Sequence, residues 1–343
     1  MSQESQCQEC PSGHYCPEAS ANPVICPRGG YCEPGVSTST PCPGGTFNNE
    51  TSAEDVSFCQ PCIEGHYCEE GSTAPEPCGA GTYQPYRGRD DVSQCMQCWA
   101  GHTCPSPGTV LPTEGCAPGH YCPLGTAVAT DNECPAGTYT NFDNATTSDD
   151  CSACPATKAC YSGTGGTDQV PVSCSSGHYC PEGTRFPTEF PCAAGTYTDK
   201  TNLRAQDGCT ECPKGYYCDG GEASYSGVCP QGYYCPPGTE YSTQYPCPAG
   251  TYGPSQGLVR VEACLVCPEG HYCPEASTDP WTDTPCPAST YSDQEGLEDE
   301  DECTDCDAGY RCPTTGMTAP IICLASTYSA AGATSCSVRL LLS

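Results

Sequence analysis

The sequence predicts small disulfide-rich tandem repeats stacked into an elongated rod, with short β-hairpins and turns and almost no helix. Three observations carry that prediction. Cysteine makes up 37 of 343 residues, the density of a disulfide scaffold. Leu, Ile, Val and Phe together number 32 of 343, far below the roughly 20% under which a chain fails to bury a core. Finally, eighteen cysteines open a hexad of the form C-x-x-G-x-Y, the internal period that marks a repeat architecture.

The openers are Cys10, Cys26, Cys42, Cys62, Cys78, Cys98, Cys116, Cys134, Cys154, Cys174, Cys192, Cys212, Cys229, Cys247, Cys267, Cys286, Cys306 and Cys323. The fourth slot is Gly in fifteen and the sixth is Tyr in fourteen. An early form closes as C-x5-C, as in Cys62 to Cys68, and a late form as C-x16-C, as in Cys134 to Cys151. The last late form, Cys323 to Cys336, is shortened to C-x12-C. Each full late form is followed by C-x2-C, so seven units result: 1–58, 59–94, 95–150, 151–208, 209–263, 264–302 and 303–343. The hexad at Cys154 lacks both Gly and Tyr, and a different turn is expected there.

Repeat parity narrows the cysteine pairing. If late openers bond their closers, unit 59–94 retains only Cys62 and Cys68, which must bond each other. Longer units keep four cysteines, and there adjacent pairing competes with crossed alternatives. The simplest rule joins every opener to its next cysteine. It gives Cys10–Cys16, Cys26–Cys32, Cys42–Cys59, Cys62–Cys68, Cys78–Cys95, Cys98–Cys104, Cys116–Cys122, Cys134–Cys151 and Cys154–Cys160 in the first half. It gives Cys174–Cys180, Cys192–Cys209, Cys212–Cys218, Cys229–Cys235, Cys247–Cys264, Cys267–Cys273, Cys286–Cys303, Cys306–Cys312 and Cys323–Cys336 in the second. Cys7 is left over and unpaired: either the chain begins inside a repeat array, so that its partner would precede Met1, or it bonds a neighbouring molecule.

Closing a 17-residue loop contributes about 3 kcal/mol in the loop-entropy model, so the bridges can replace an oily core. Gly in slot four permits positive φ, and the Tyr beside the closing Cys can stack on the bridge. Hairpins are expected within the late loops and turns elsewhere. Pro41, Pro77, Pro191, Pro246 and Pro285 precede late openers, where a fixed φ stiffens the junction.

Eleven Lys and Arg against 42 Asp and Glu give a formal charge of −31, which repels nucleic acid and anionic lipid. The cysteine density argues for an extracellular or cell-surface, secreted setting. The start, Met1 to Gln6, shows no signal-peptide pattern, and the apolar end, Val338 to Ser343, is too short to span a bilayer. A mature piece or internal fragment, without membrane insertion of this segment, is therefore expected.

The late form followed by C-x2-C, such as Cys42-Pro43-Gly44-Gly45-Thr46-Phe47 to Cys59-Gln60-Pro61-Cys62, resembles the cysteine-rich repeats of ephrin-receptor-like (GCC2/GCC3) type. It is more loosely similar to tumour-necrosis-factor-receptor and EGF-like modules. The resemblance implies extracellular, disulfide-bonded, elongated repeats that act as spacers, adhesion surfaces or structural arrays. The inserted C-x5-C hexads depart from that pattern, so the family's crossed pairings are not carried over.

Candidate sites are few. Seven C-x2-C pairs match zinc-ligand spacing, but zinc needs reduced thiolates, so disulfides are the preferred reading and no cofactor is expected. All six histidines, His14, His66, His102, His120, His178 and His271, occupy slot five of an early hexad. Repetition at one slot signals a structural role, with a pH-sensing or metal-binding row as the rival. Glu295, Glu298, Asp299, Glu300, Asp301 and Glu302, and Asp149 with Asp150, form acidic runs in late loops. They read as solvated surface, with weak Ca2+ binding as the alternative. Two sequons, Asn49-Glu50-Thr51 and Asn144-Ala145-Thr146, predict N-glycans in late loops. No nucleophile, base or phosphate loop stands out, so an enzyme is not expected.

The leading functional expectation is a structural rod in a filament, surface coat or appendage that self-associates head-to-tail or joins other surface proteins. Its rival is the stalk or ligand-binding ectodomain of a receptor. A spacer of a secreted enzyme would need a catalytic domain elsewhere.

Overall fold

The structure, a computed structural model, describes residues 8–338; Cys7 lies outside them. Helix is confined to single turns, of which the one α-helical turn among the described residues is α1 (Pro280–Asp283). Among the described residues the strands are two residues long, and fifteen two-stranded antiparallel hairpins form.

One register accounts for all of them. Strand β1 (His14–Tyr15) pairs with β2 (Val24–Ile25), placing His14 opposite Ile25. In general, slots five and six of a hexad pair with the two residues before the next opener, in early and late forms alike. Thus Thr46–Phe47 of a late form pairs with Gln60–Pro61. Where no full hairpin forms, single bridges keep the register: His120 with Glu133, Tyr233 with Pro246 and His271 with Pro285. Hairpins are therefore not confined to late loops as expected, because both forms share the turn that starts them. That turn runs from slot two to slot five: the His14 N–H donates to the Pro11 carbonyl at 3.2 Å, across Gly13 at φ +72°. Positive φ at the third turn residue is the type II requirement that favours glycine.

The hexad at Cys154 keeps this turn, contrary to the sequence expectation. Thr157 adopts φ +77° in the glycine slot, and Lys158–Ala159 still pairs with Val172–Ser173. The Thr157 N–H donates to Cys180 O at 2.8 Å and its carbonyl accepts from Cys174 N at 3.1 Å, so the bonds to the next segment offset the cost of an L-residue in that region.

A lone two-stranded hairpin is marginal in water; here each is tied to its successor. The slot-four N–H donates to the slot-seven carbonyl of the next hexad, as in Gly13 to Cys32 at 2.9 Å and Gly45 to Cys68 at 2.8 Å. In return, the next opener's N–H donates to the slot-four carbonyl, as in Cys26 to Gly13 at 3.0 Å. Eighteen openers make seventeen junctions, and both bonds recur at every one.

The described residues fall into two compact units. The first contains residues up to Cys154 together with Cys160–Pro171, and the second contains Pro155–Ala159 and the chain from Val172 onward. Eight junctions lie in the first and nine in the second. The interior of each is mostly sulfur: Cys26, Cys62, Cys98 and Cys134 in the first, and Cys212, Cys229, Cys267 and Cys306 in the second, are fully buried. The slot-six ring of several late forms does not sit on its own bridge but on the next one. Phe47 packs against Cys62 and Cys68, Tyr83 against Cys98 and Cys104, and Tyr252 against Cys267 and Cys273.

Candidate functional site

The described cysteines come together as eighteen bridges, each joining an opener to the next cysteine in the chain. The early bridges span six positions, as in Cys10–Cys16, Cys26–Cys32 and Cys62–Cys68. The full late ones span seventeen, as in Cys42–Cys59 and Cys286–Cys303, and Cys323–Cys336 spans thirteen. The two cysteines of Cys59-Gln60-Pro61-Cys62 thus belong to different bridges, with a β-strand between them. Among the described residues, no group of three or more His, Cys, Asp or Glu side chains is arranged to hold a metal ion.

Slot five distinguishes the two forms, a signal that sequence reasoning missed. Every late form carries Thr there, and its hydroxyl repeats the turn's backbone bond: Thr46 Oγ1 donates to Pro43 O at 2.6 Å, and Thr251 Oγ1 to Pro248 O at 2.6 Å. Early forms carry the histidines instead. Each histidine Nδ1 faces the carbonyl two residues back, from 2.9 Å at His66 and His271 to 3.5 Å at His102. A carbonyl oxygen only accepts, so it is Nδ1 that donates in this contact.

Slot seven is the second missed feature. Where the early form closes with Cys, five of the seven late forms bury a polar side chain: Asn48, Gln84, Thr140, Thr198 and Ser292. These cap the loop that follows. Asn48 Oδ1 accepts from Glu50 N at 3.0 Å, Gln84 Oε1 from Tyr86 N at 3.1 Å and Ser292 Oγ from Gln294 N at 3.1 Å.

The acidic runs have local work. Asp299 accepts from Asp301 N at 3.2 Å and Glu302 from Glu298 N at 2.7 Å, clasping the single turn before Cys303. Asp150 accepts from Thr146 N, Thr146 Oγ1 and Thr147 N at 2.7, 2.9 and 3.1 Å. The backbone bonds from Thr146 and Thr147, then the Thr146 hydroxyl, hold its carboxyl below the usual range. Asp55 and Asp91 are lowered by the side chain and then the backbone N–H of Ser57 and Ser93.

The sequons differ in setting. Asn49 is exposed beside the buried cap Asn48. Asn144 adopts φ +71°, with its carbonyl packed toward Gly101 and its side chain toward Gly115, and the Thr146 hydroxyl is engaged by Asp150.

Aromatic side chains gather where a late form meets the following early form. Trp99 Nε1 donates to Tyr83 Oη at 2.5 Å, and its ring stands edge-on to both Tyr83 and His102. Trp281, presented by α1, stands edge-on to Tyr252 at 5.5 Å and lies 6.1 Å from His271. The two indoles arise at different loop positions yet meet the same pair of slots, and they remain 45% and 57% exposed. Burial, then the Asp279 carboxylate, pushes the Tyr252 phenol above its ordinary range. Within a single early form, Tyr216 and Tyr225 stand with ring centroids 4.0 Å apart.

Among the described residues, no helix is long and apolar enough to cross a membrane. No protein-family model matches the chain, and no curated protein sequence matches it.

Proposed function

We propose that the chain is a non-enzymatic extracellular structural protein, a disulfide-stapled and glycosylated array within a filament, surface coat or appendage. One observation carries the reading: the same two backbone bonds recur at all seventeen junctions, with most of the bridge sulfurs buried behind them. Residue types that elsewhere do chemistry are spent on this repeat, with histidines on turn carbonyls and aspartates on loop amides. Such dense bridging fits an oxidising compartment. Copies associate head-to-tail with one another or with other surface proteins, against the mutual repulsion of a net charge of −31. Asn49 is the preferred glycan acceptor, being exposed and free of a turn constraint.

A ligand-binding or adhesion ectodomain is the second reading, and the exposed Trp99 and Trp281 clusters favour it. Electron microscopy of native material, with antibody labelling of the chain, separates the two. Label repeating along a filament or coat supports the structural role. Label confined to single membrane-tethered molecules overturns it.

A further inference from the structure

We propose that Tyr216 and Tyr225 are the site of an oxidative cross-link, a biphenol bond that closes one hairpin covalently where no cysteine does. Tyr216 occupies slot five of the early hexad opening at Cys212, in the strand Tyr216–Tyr217 that pairs with Gly227–Val228. Tyr225 lies in the loop joining those strands. The rings are tilted by 39° with centroids 4.0 Å apart, close to the separation of two directly joined phenols.

The backbone on both sides is fixed. Ser226 N, next to Tyr225, donates to the carbonyl of Tyr217, next to Tyr216, at 2.9 Å. Ser226 Oγ accepts from Asp219 N at 2.7 Å, and Cys212–Cys218 locks the strand's entry. The rings are thus held together before any reaction, which makes coupling unimolecular. Tyr225 is 43% exposed and Tyr216 half-buried, so an external oxidant reaches the pair.

The chemistry balances with a peroxide acting through a haem peroxidase. Each phenol loses one electron and its hydroxyl proton, giving two phenoxyl radicals. These join at their ortho carbons, and the two ring hydrogens displaced there return to the phenol oxygens through solvent. The two electrons and two protons reduce hydrogen peroxide to two waters. The neighbouring pair Tyr234 and Tyr245 stands at 5.6 Å and reacts more slowly.

The test treats the folded chain with hydrogen peroxide and a haem peroxidase, then isolates monomer. Biphenol fluorescence is read, and peptides are mapped after reducing the disulfides. Cleavage at Asp219 or Glu222 separates the two tyrosines unless they are linked. The expected product joins them, two hydrogens lighter, with a yield in monomer unchanged over a tenfold dilution. Tyr216→Phe and Tyr225→Phe each lower the monomer signal at least fivefold, while Tyr241→Phe, at another exposed ring, leaves it unchanged. The mapping on the parent chain decides the matter even if a variant misfolds. Links only between molecules, or at other tyrosines with these two unjoined, overturn the proposal.

Discussion

Gly45 faces the carbonyl of Gly88 so closely that a Cβ on Gly45 would stand 2.6 Å from that oxygen. The two residues belong to segments two apart, since Cys62 opens the one between. Contacts therefore reach past the nearest neighbour, and the slot-four glycine is required by space as well as by its φ of +84°.

Gly45→Ala is expected to destabilise its segment by at least about 1–2 kcal/mol, the cost of a left-handed L-residue alone. Amide exchange at Cys62, whose N–H donates to Gly45 O at 2.8 Å, should accelerate by tenfold or more. Gly79→Ala is the control, because nothing lies within 4 Å of its Cβ position. Equal effects of the two substitutions would remove the close approach as the cause.

Replacing Cys42 and Cys59 together by serine opens a loop of sequence separation 17 and should cost about 3 kcal/mol. Protection from exchange should fall around Gly45 and Thr46 and persist at distant bridges such as Cys212–Cys218. Non-reducing peptide mapping of the parent chain should recover Cys10 joined to Cys16. A Cys10–Cys26 link would defeat adjacent pairing.

Acid should loosen the late-loop turns. The folded Asp150 carboxyl is lowered, so its contribution is present above the unfolded carboxylate range and is lost as the pH falls through the folded value. Amide exchange at Thr146 and Thr147, corrected for intrinsic rates, should rise across that window. Asp150→Asn should show fast exchange at both sites without the acid dependence. An unchanged parent profile would contradict the capping role.

Asn49→Gln should remove one glycan's mass from chain secreted by a eukaryotic host without altering the bridge map. Unglycosylated Asn49 in that material would refute the exposed acceptor.

The openers, the two closing distances and the glycine slot could all be read in the sequence, because covalent spacing is a one-dimensional property. The backbone template was less legible. The sequence suggests hairpins within late loops and turns elsewhere, yet His14 and Thr46 start the same kind of hairpin. What unites them is a pair of hydrogen bonds to the next segment, which leaves no residue signature beyond the glycine. Asn48 and Gln84 carry no signal in the sequence, because a polar side chain in a polar stretch gives no hint that it is buried. Thr157 misled for the converse reason, since its unusual residue type conceals an ordinary turn.

The reciprocal bonds at each junction have an evolutionary corollary. Because every segment presents the same donor and acceptor to its successor whichever way its own sulfurs are joined, whole segments are interchangeable parts. A duplication or deletion in register with the opening cysteines preserves every joint, so array length becomes a quantity selection can adjust without redesigning the unit.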